Sequence, residues 1–145
     1  MQNNNNIQMI SKILVAVDGS SHAEKAFEYA SYLAKICGSG LLIAHVLEEF
    51  VTVGHSILKE LEQRDLEMLL KYKSRAKESA ASISIDVIES RGNDVAEEIL
   101  RIADKQKADT IVVGDRGVKS SKEFLMGSTS YKITHYAKCP VIIVR

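Results

Sequence analysis

The 145-residue sequence predicts an α/β fold, a single domain whose parallel sheet is covered by helices on both faces. Three observations carry that expectation. Short, nearly unbroken apolar runs alternate with amphipathic stretches of helical period, in the order βαβαβαβαβ. Apolar residues make up 46% of the chain and charged residues 26%, the balance of a chain that buries its own core. A glycine-rich segment follows the fourth apolar run, at the edge of the sheet where ligands of open parallel sheets bind.

The first strand is Lys12-Ile-Leu-Val-Ala-Val-Asp18, an apolar run stopped by Gly19-Ser20-Ser21. A helix follows, because Ala23, Ala26, Phe27, Ala30, Leu33, Ala34 and Cys37 fall on one face. Ser21 with Glu24 fits a capping box at its start, and Gly38 fits a C-terminal cap. Gly40 to Leu47 reads as a second buried strand. A loop near Val51 to Gly54 leads into a long charged helix from about His55 to Ala80, with Leu58, Leu61, Met68, Leu69, Tyr72 and Ala76 as its inner stripe. Ser84 to Glu89 alternates and reads as a half-exposed strand near an edge. Asp94 with Glu97 opens a third helix through Val95, Ala96, Ile99, Ile102 and Ala103. Asp109 to Asp115 is a β-branched fourth strand, and a last helix runs from Ser128 to about Lys138. Pro140 to Arg145 closes the chain as a strand whose proline sits first, where a missing N–H does least harm. Residues 1–10, with four consecutive asparagines at Asn3–Asn6, read as a polar tail, and residues 11–145 as the domain. Successive parallel strands joined through helices imply right-handed crossovers.

Composition excludes several classes. Nineteen basic residues balance nineteen acidic ones, so there is no global basic field for nucleic acid, and the chain lacks tryptophan for a base-stacking platform. No apolar run approaches the ~20 residues of a membrane span. The first residues have neither the basic nor the apolar region of a secretory signal. Two cysteines, Cys37 and Cys139, make no disulfide framework and fit a reducing cytosol, so a cytoplasmic protein is expected.

The segment Gly114-Asp-Arg-Gly117 through Gly127-Ser128-Thr129 has the form G-x2-G-x9-G-S-T and runs from a strand end to a helix start. Glycines admit backbone N–H groups close to an anion. The first amides of a helix lack intrahelical partners, and the helix dipole favours negative charge there. Ser128 and Thr129 add hydroxyls, and Arg116, Lys119 and Lys122 add local positive charge. The pattern therefore points to phosphate. Glycines also mark plain αβ loops, and Gly-Ser before a helix is also an ordinary N-cap. The segment is neither a Walker A loop nor the dinucleotide G-x-G-x-x-G, which argues against P-loop phosphoryl transfer and nicotinamide chemistry.

These residues resemble the universal stress protein (UspA) family, in its ATP-binding branch, over nearly the whole chain. The resemblance rests on Ile13 to Ser20, on Ala44-His45-Val46, on the glycine segment and on Cys139-Pro-Val-Ile-Ile-Val. It implies an open five-stranded parallel sheet in order 3-2-1-4-5, a Rossmann-like fold of the adenine-nucleotide α-hydrolase-like type. It implies ATP between the first and fourth strands, and a homodimer through the last strand. Ala16, Val17 and Asp18 would line the adenosine end, with Asp18 near the ribose or a Mg²⁺ held through the phosphates. Val46 would offer its backbone to adenine. Gly114, Arg116, Gly117, Gly127, Ser128 and Thr129 would hold ribose and phosphates. Ala16 stands where the family often has proline, and Arg116 fills a variable slot.

Other residues invite plainer readings. Asp18 also suits a turn, and Asp115 has Arg116 as a neighbouring partner. His22, His45, His55 and His135 show no zinc spacing, and His45 is expected to be a hydrogen-bonded core histidine. No nucleophile elbow or catalytic triad is legible, so no catalytic residue is assigned. The function expected is a small nucleotide-dependent binding module of the stress response, with a slow metal-dependent ATPase or related nucleotide hydrolase as the alternative. In the order 3-2-1-4-5 the last strand is an apolar edge, which invites pairing with a second copy.

Overall fold

The computed structural model describes residues 10–49, 54–117 and 126–145. Among these residues nine elements follow one another: β1 (Lys12–Ala16), α1 (Ser21–Cys37), β2 (Gly40–Glu48), α2 (His55–Ser79), β3 (Ile85–Gly92), α3 (Val95–Lys105), β4 (Thr110–Gly114), α4 (Ser128–Tyr136) and β5 (Val141–Val144). All strand pairs are parallel, in the order β3-β2-β1-β4-β5. The chain builds outward from β1 in one direction, returns, and builds outward through β4 in the other. The reversal leaves a crevice between β1 and β4 at their C-terminal ends.

Alternation along each strand divides the core in two. Ile13, Val15, Leu41, Ile43 and Val112 face α1 and α2. Leu14, Leu42, Ala44, Ile111 and Val113 face α3 and α4. Both faces of the central strands are thus buried, which explains their unbroken apolar runs. Among the described residues, no helix is long and apolar enough to cross a membrane.

The structure moves several boundaries. β1 ends at Ala16, two residues before Asp18, and Val17 continues only through one bond from its N–H to the Ala44 carbonyl (2.9 Å). β3 runs on to Gly92 because its ladder with β2 continues through His45↔Glu89 and Glu48↔Gly92, beyond where side-chain alternation marks it. The cap of α1 is Ser20, not Ser21, and Glu24 pairs with Arg75 of α2 instead of closing a box. Along α2, Leu69, Tyr72 and Ala76 are buried, but Leu58 and Leu61 are only half-buried; the buried residue nearer the start is Asp65. Asp65 is in phase with Leu69, Tyr72 and Ala76, so the inner stripe carries a carboxylate where it meets the end of β2.

Candidate functional site

A cavity of about 780 Å³ lies over the C-terminal edge of the sheet. Ala16, Val17, Asp18, Val46, Gly114, Arg116, Gly117, Gly127, Ser128 and Thr129, the residues the resemblance assigns to nucleotide, all border it. They come from the ends of β1, β2 and β4 and from the start of α4. The cavity straddles the sheet edge. Ala16, Val46 and Val113 face the α3/α4 side, with Ile99 and Ile133 beside them as apolar lining. His45 and Leu47, of opposite parity, face α2, where the lining becomes polar. Among its described residues the cavity is edged by the carboxylates Asp18, Glu48, Asp65 and Asp94 and the cations Arg64, Arg116 and Lys132. Lys119 and Lys122, and the loop near Val51, lie outside the described residues.

The start of α4 borders the cavity. Gly127 is its N-cap, in extended conformation, and no side chain caps the helix among the described residues. The Gly127 N–H donates to the Asp115 carbonyl (2.7 Å), closing the connection from β4. The first intrahelical bond runs from the Tyr131 N–H to the Gly127 carbonyl (2.9 Å), so the amides of Ser128, Thr129 and Ser130 precede the helix's own ladder. The Ser130 hydroxyl is committed to the Gly114 carbonyl (2.6 Å). Those of Ser128 and Thr129 border the cavity.

The glycines divide the work. A Cβ on Gly114 would lie 2.8 Å from the His22 carbonyl oxygen, so this glycine lets the start of α1 pack against the end of β4. A Cβ on Gly117 would lie 2.6 Å from Asp18 Oδ2, so the loop after β4 passes directly over that carboxylate. A Cβ on Gly127 would meet ordinary contacts, Arg116 Cα at 3.4 Å first. Asp18 in turn accepts the Ser20 N–H at Oδ1 (2.9 Å). Asp115 lies outside the cavity lining, and His22 Nδ1 approaches its Oδ1 to 3.1 Å.

Two polar bridges cross the cavity walls. Asp94 caps α3 by accepting the Glu97 N–H at Oδ1 (3.2 Å), and its Oδ2 takes the Lys132 ammonium from α4. The Lys132 hydrogen bond, joined by that of the Glu97 amide, holds the Asp94 carboxyl below the usual carboxylate range. On the other wall His45 Nδ1 lies 2.7 Å from the Val17 carbonyl and Nε2 lies 2.9 Å from Asp65 Oδ2. His45 is thus the hydrogen-bonded core histidine expected, with a buried carboxylate as its partner.

Similarity to known proteins agrees with this architecture. The model of the universal stress protein family matches residues 9–145. The chain belongs to this family. Universal stress protein YxiE of Bacillus subtilis (strain 168) is 36% identical, over 94% of this chain and all (100%) of the relative. The universal stress protein UspA from Lactobacillus plantarum has a TM-score of 0.83 at 24% identity, over 94% of this chain and 98% of that one. A universal stress protein solved in complex with cAMP has a TM-score of 0.75 at 23% identity, over 94% and 98% of the two chains. One from Archaeoglobus fulgidus in complex with dAMP has a TM-score of 0.70 at 22% identity, over 94% and 99%. At such identities these structures establish the shared fold.

Among the polar residues of this family member's cavity that escape a reading of the sequence alone are Asp65, Asp94 as the partner of Lys132, and Lys132 itself. Asp65 leaves one signal, its place in phase with the apolar stripe of α2. The Asp94–Lys132 pair leaves none, because 38 positions separate the two residues and only the packing of α3 beside α4 unites them.

Proposed function

We propose that this universal stress protein is an ATP-binding regulatory module, with the nucleotide seated in the cavity between β1 and β4. The observation that carries the reading is that the ten residues assigned through the resemblance border one cavity, with the start of α4, which has no side-chain cap among the described residues, at its phosphate end. A volume of about 780 Å³ is of the size that holds a cofactor-sized ligand, roughly 300–1,000 Å³. The apolar flank at Ala16, Val46 and Val113 suits a purine, with the Val46 backbone at hand for its edge. Asp18 faces the ribose side, and Gly114, Arg116, Gly117, Gly127, Ser128 and Thr129 surround the phosphates. The solved relatives that hold cAMP and dAMP support an adenine nucleotide as the class.

A bound magnesium would neutralise phosphate charge among the cavity's carboxylates. Asp18 fits as its single protein ligand, since Mg²⁺ commonly takes one or two carboxylates and keeps the rest of its shell on phosphates and water. Occupancy would be read out through the shape of the dimer. Val141 to Val144 form an edge strand in which every residue is half-buried, the kind of edge a second copy completes. The free Cys37 and Cys139 accord with a cytoplasmic location.

The test is to denature the purified protein and identify any released nucleotide, then measure unfolding with added Mg-ATP. Saturation at 100 times Kd adds about 2.7 kcal/mol of stability. Absence of released nucleotide, together with no stabilisation by ATP, ADP, AMP or cAMP, overturns the reading. Phosphate release during the same incubation would make the protein a hydrolase. A monomer by sedimentation at micromolar concentration would remove the dimer.

A further inference from the structure

Among the described residues of the cavity lining, the carboxylates Asp18, Glu48, Asp65 and Asp94 outnumber the cations Arg64, Arg116 and Lys132. A polyphosphate entering there meets more like charge than opposite charge, so the place of each cation matters. Arg64 and Arg116 stand beside carboxylates next to them in the chain: Arg64 Nη2 is 3.6 Å from Asp65 Oδ1, and Arg116 Nε is 3.7 Å from Asp115 Oδ2. Lys132 differs, because its carboxylate, Asp94, comes from another helix.

Lys132 follows Thr129 by three residues and Ser128 by four, so the three share one side of α4, and all three border the cavity. Ser130 and Ile133 form the inner side, one bonded to the Gly114 carbonyl and the other buried in the core. Side chains on a helix lean toward its N-terminus, so Lys132 leaves α4 over the turn whose amides precede the helix's own ladder. Its ammonium meets Asp94, the cap of α3. Lys132 thus links an anion at the start of α3 to the helix start at the phosphate end of the cavity. The Lys132 side chain is 51% exposed and that of Asp94 is 33% exposed. So wet an ion pair holds its partners loosely. An ammonium has three N–H donors, enough for a carboxylate and a phosphate together.

We propose that Lys132, to which the resemblance gives no role, is a phosphate ligand of this site, with Asp94 as the resting partner that competes with phosphate for its ammonium. This rests on the ATP reading above. The plainer role is a brace, in which the same ion pair only ties α3 to α4. The two roles differ in sign. A brace is broken by loss of either partner, whereas a phosphate ligand is lost with Lys132 and released by loss of the Asp94 charge.

The experiment measures dissociation constants for ATP and adenosine by calorimetric titration in wild type, Lys132→Met, Lys132→Arg and Asp94→Asn. The quantity read is the preference for ATP over adenosine. Lys132→Met keeps the length of the side chain and drops its charge, so the preference should fall about tenfold. Lys132→Arg restores a cation and should recover most of it. Asp94→Asn keeps a capping oxygen, removes a competing anion and should raise the preference roughly threefold. A preference unchanged in Lys132→Met overturns the proposal. So does a loss of ATP and adenosine affinity in equal measure in both Lys132→Met and Asp94→Asn, which is the signature of a brace. A lowered preference in Asp94→Asn overturns it as well. In each of these cases ATP binding by wild type leaves the nucleotide reading standing. If wild type binds neither ATP nor adenosine, that reading falls and the role of Lys132 falls with it.

Discussion

Two of the helices that begin at the C-terminal edge of the sheet, α1 after β1 and α4 after β4, start in different ways. Both starts carry Gly-Ser, Gly19-Ser20 just before α1 and Gly127-Ser128 across the first residue of α4. At α1 the glycine is the turn, with φ of +81°, and the serine is the cap: Ser20 Oγ accepts the Ala23 N–H at 3.1 Å. At α4 the glycine is the cap and has no side chain to offer, so the serine falls inside the first turn. One residue of register thus separates a helix end sealed by its own cap serine from one that, among the described residues, has no side-chain cap beside the cavity. A capped end stabilises the fold, and an open end keeps donors for something else.

The comparison breaks most visibly if α4 is sealed. Gly127→Asp places a carboxylate at the N-cap, where its Cβ meets only ordinary contacts. It should satisfy an amide of the first turn and occupy the favourable end of the dipole, raising the stability of the ligand-free protein by a few tenths of a kcal/mol. The same carboxylate competes with and repels phosphate, so ATP affinity should fall about 100-fold. Calorimetric titration and urea unfolding read the two effects, which have opposite signs. Unchanged affinity would mean that the start of α4 does not face the ligand.

The mirror experiment unseals α1. Ser20→Ala removes the acceptor for Ala23 and should cost about 1 kcal/mol of stability. Because the open end lies on the other helix, ATP affinity should stay within roughly threefold of wild type. A larger loss would show that Asp18, bonded to the Ser20 amide, depends on this cap for its position.

How far the sequence carries depends on whether the determinant is local. Apolar periodicity marks the nine elements, and the resemblance supplies the strand order, because both depend on residues near one another in the chain. Local pattern also marks Gly127 and Ser128, but it does not decide which of the two is the cap. Gly114 belongs to the same glycine pattern, yet the space it leaves is filled by the backbone of α1, a contact across 92 positions that no spacing announces. The polar cavity walls are still less legible. His45 meets Val17 and Asp65 only because β2 lies between β1 and α2 in space, and Lys132 meets Asp94 only because α4 packs beside α3. Charged residues at such places look like solvated surface until the partner element is known.

The smallest expected effect sharpens the contrast by adding a third helix start. α3 is sealed like α1, but by a charged group, Asp94, whose other oxygen holds Lys132. A serine cap does not titrate, so the deficit of Ser20→Ala should be the same at every pH at which the protein folds. Asp94 behaves differently. Its carboxyl is held below the usual value by Lys132 and the Glu97 amide, so the folded state binds its proton less readily than the unfolded chain. The stability it contributes is complete above the unfolded value, about 4, and is lost as pH falls through the lowered folded value. Asp94→Asn keeps a good cap and gives up the charge. At neutral pH it should be less stable than wild type, by less than Ser20→Ala because the pair with Lys132 is exposed. In urea unfolding at successively lower pH that deficit should shrink to nothing as Asp94 protonates in wild type. A deficit constant with pH would mean that Asp94 seals α3 by its shape alone, as Ser20 seals α1, and that Lys132 adds nothing to the closure.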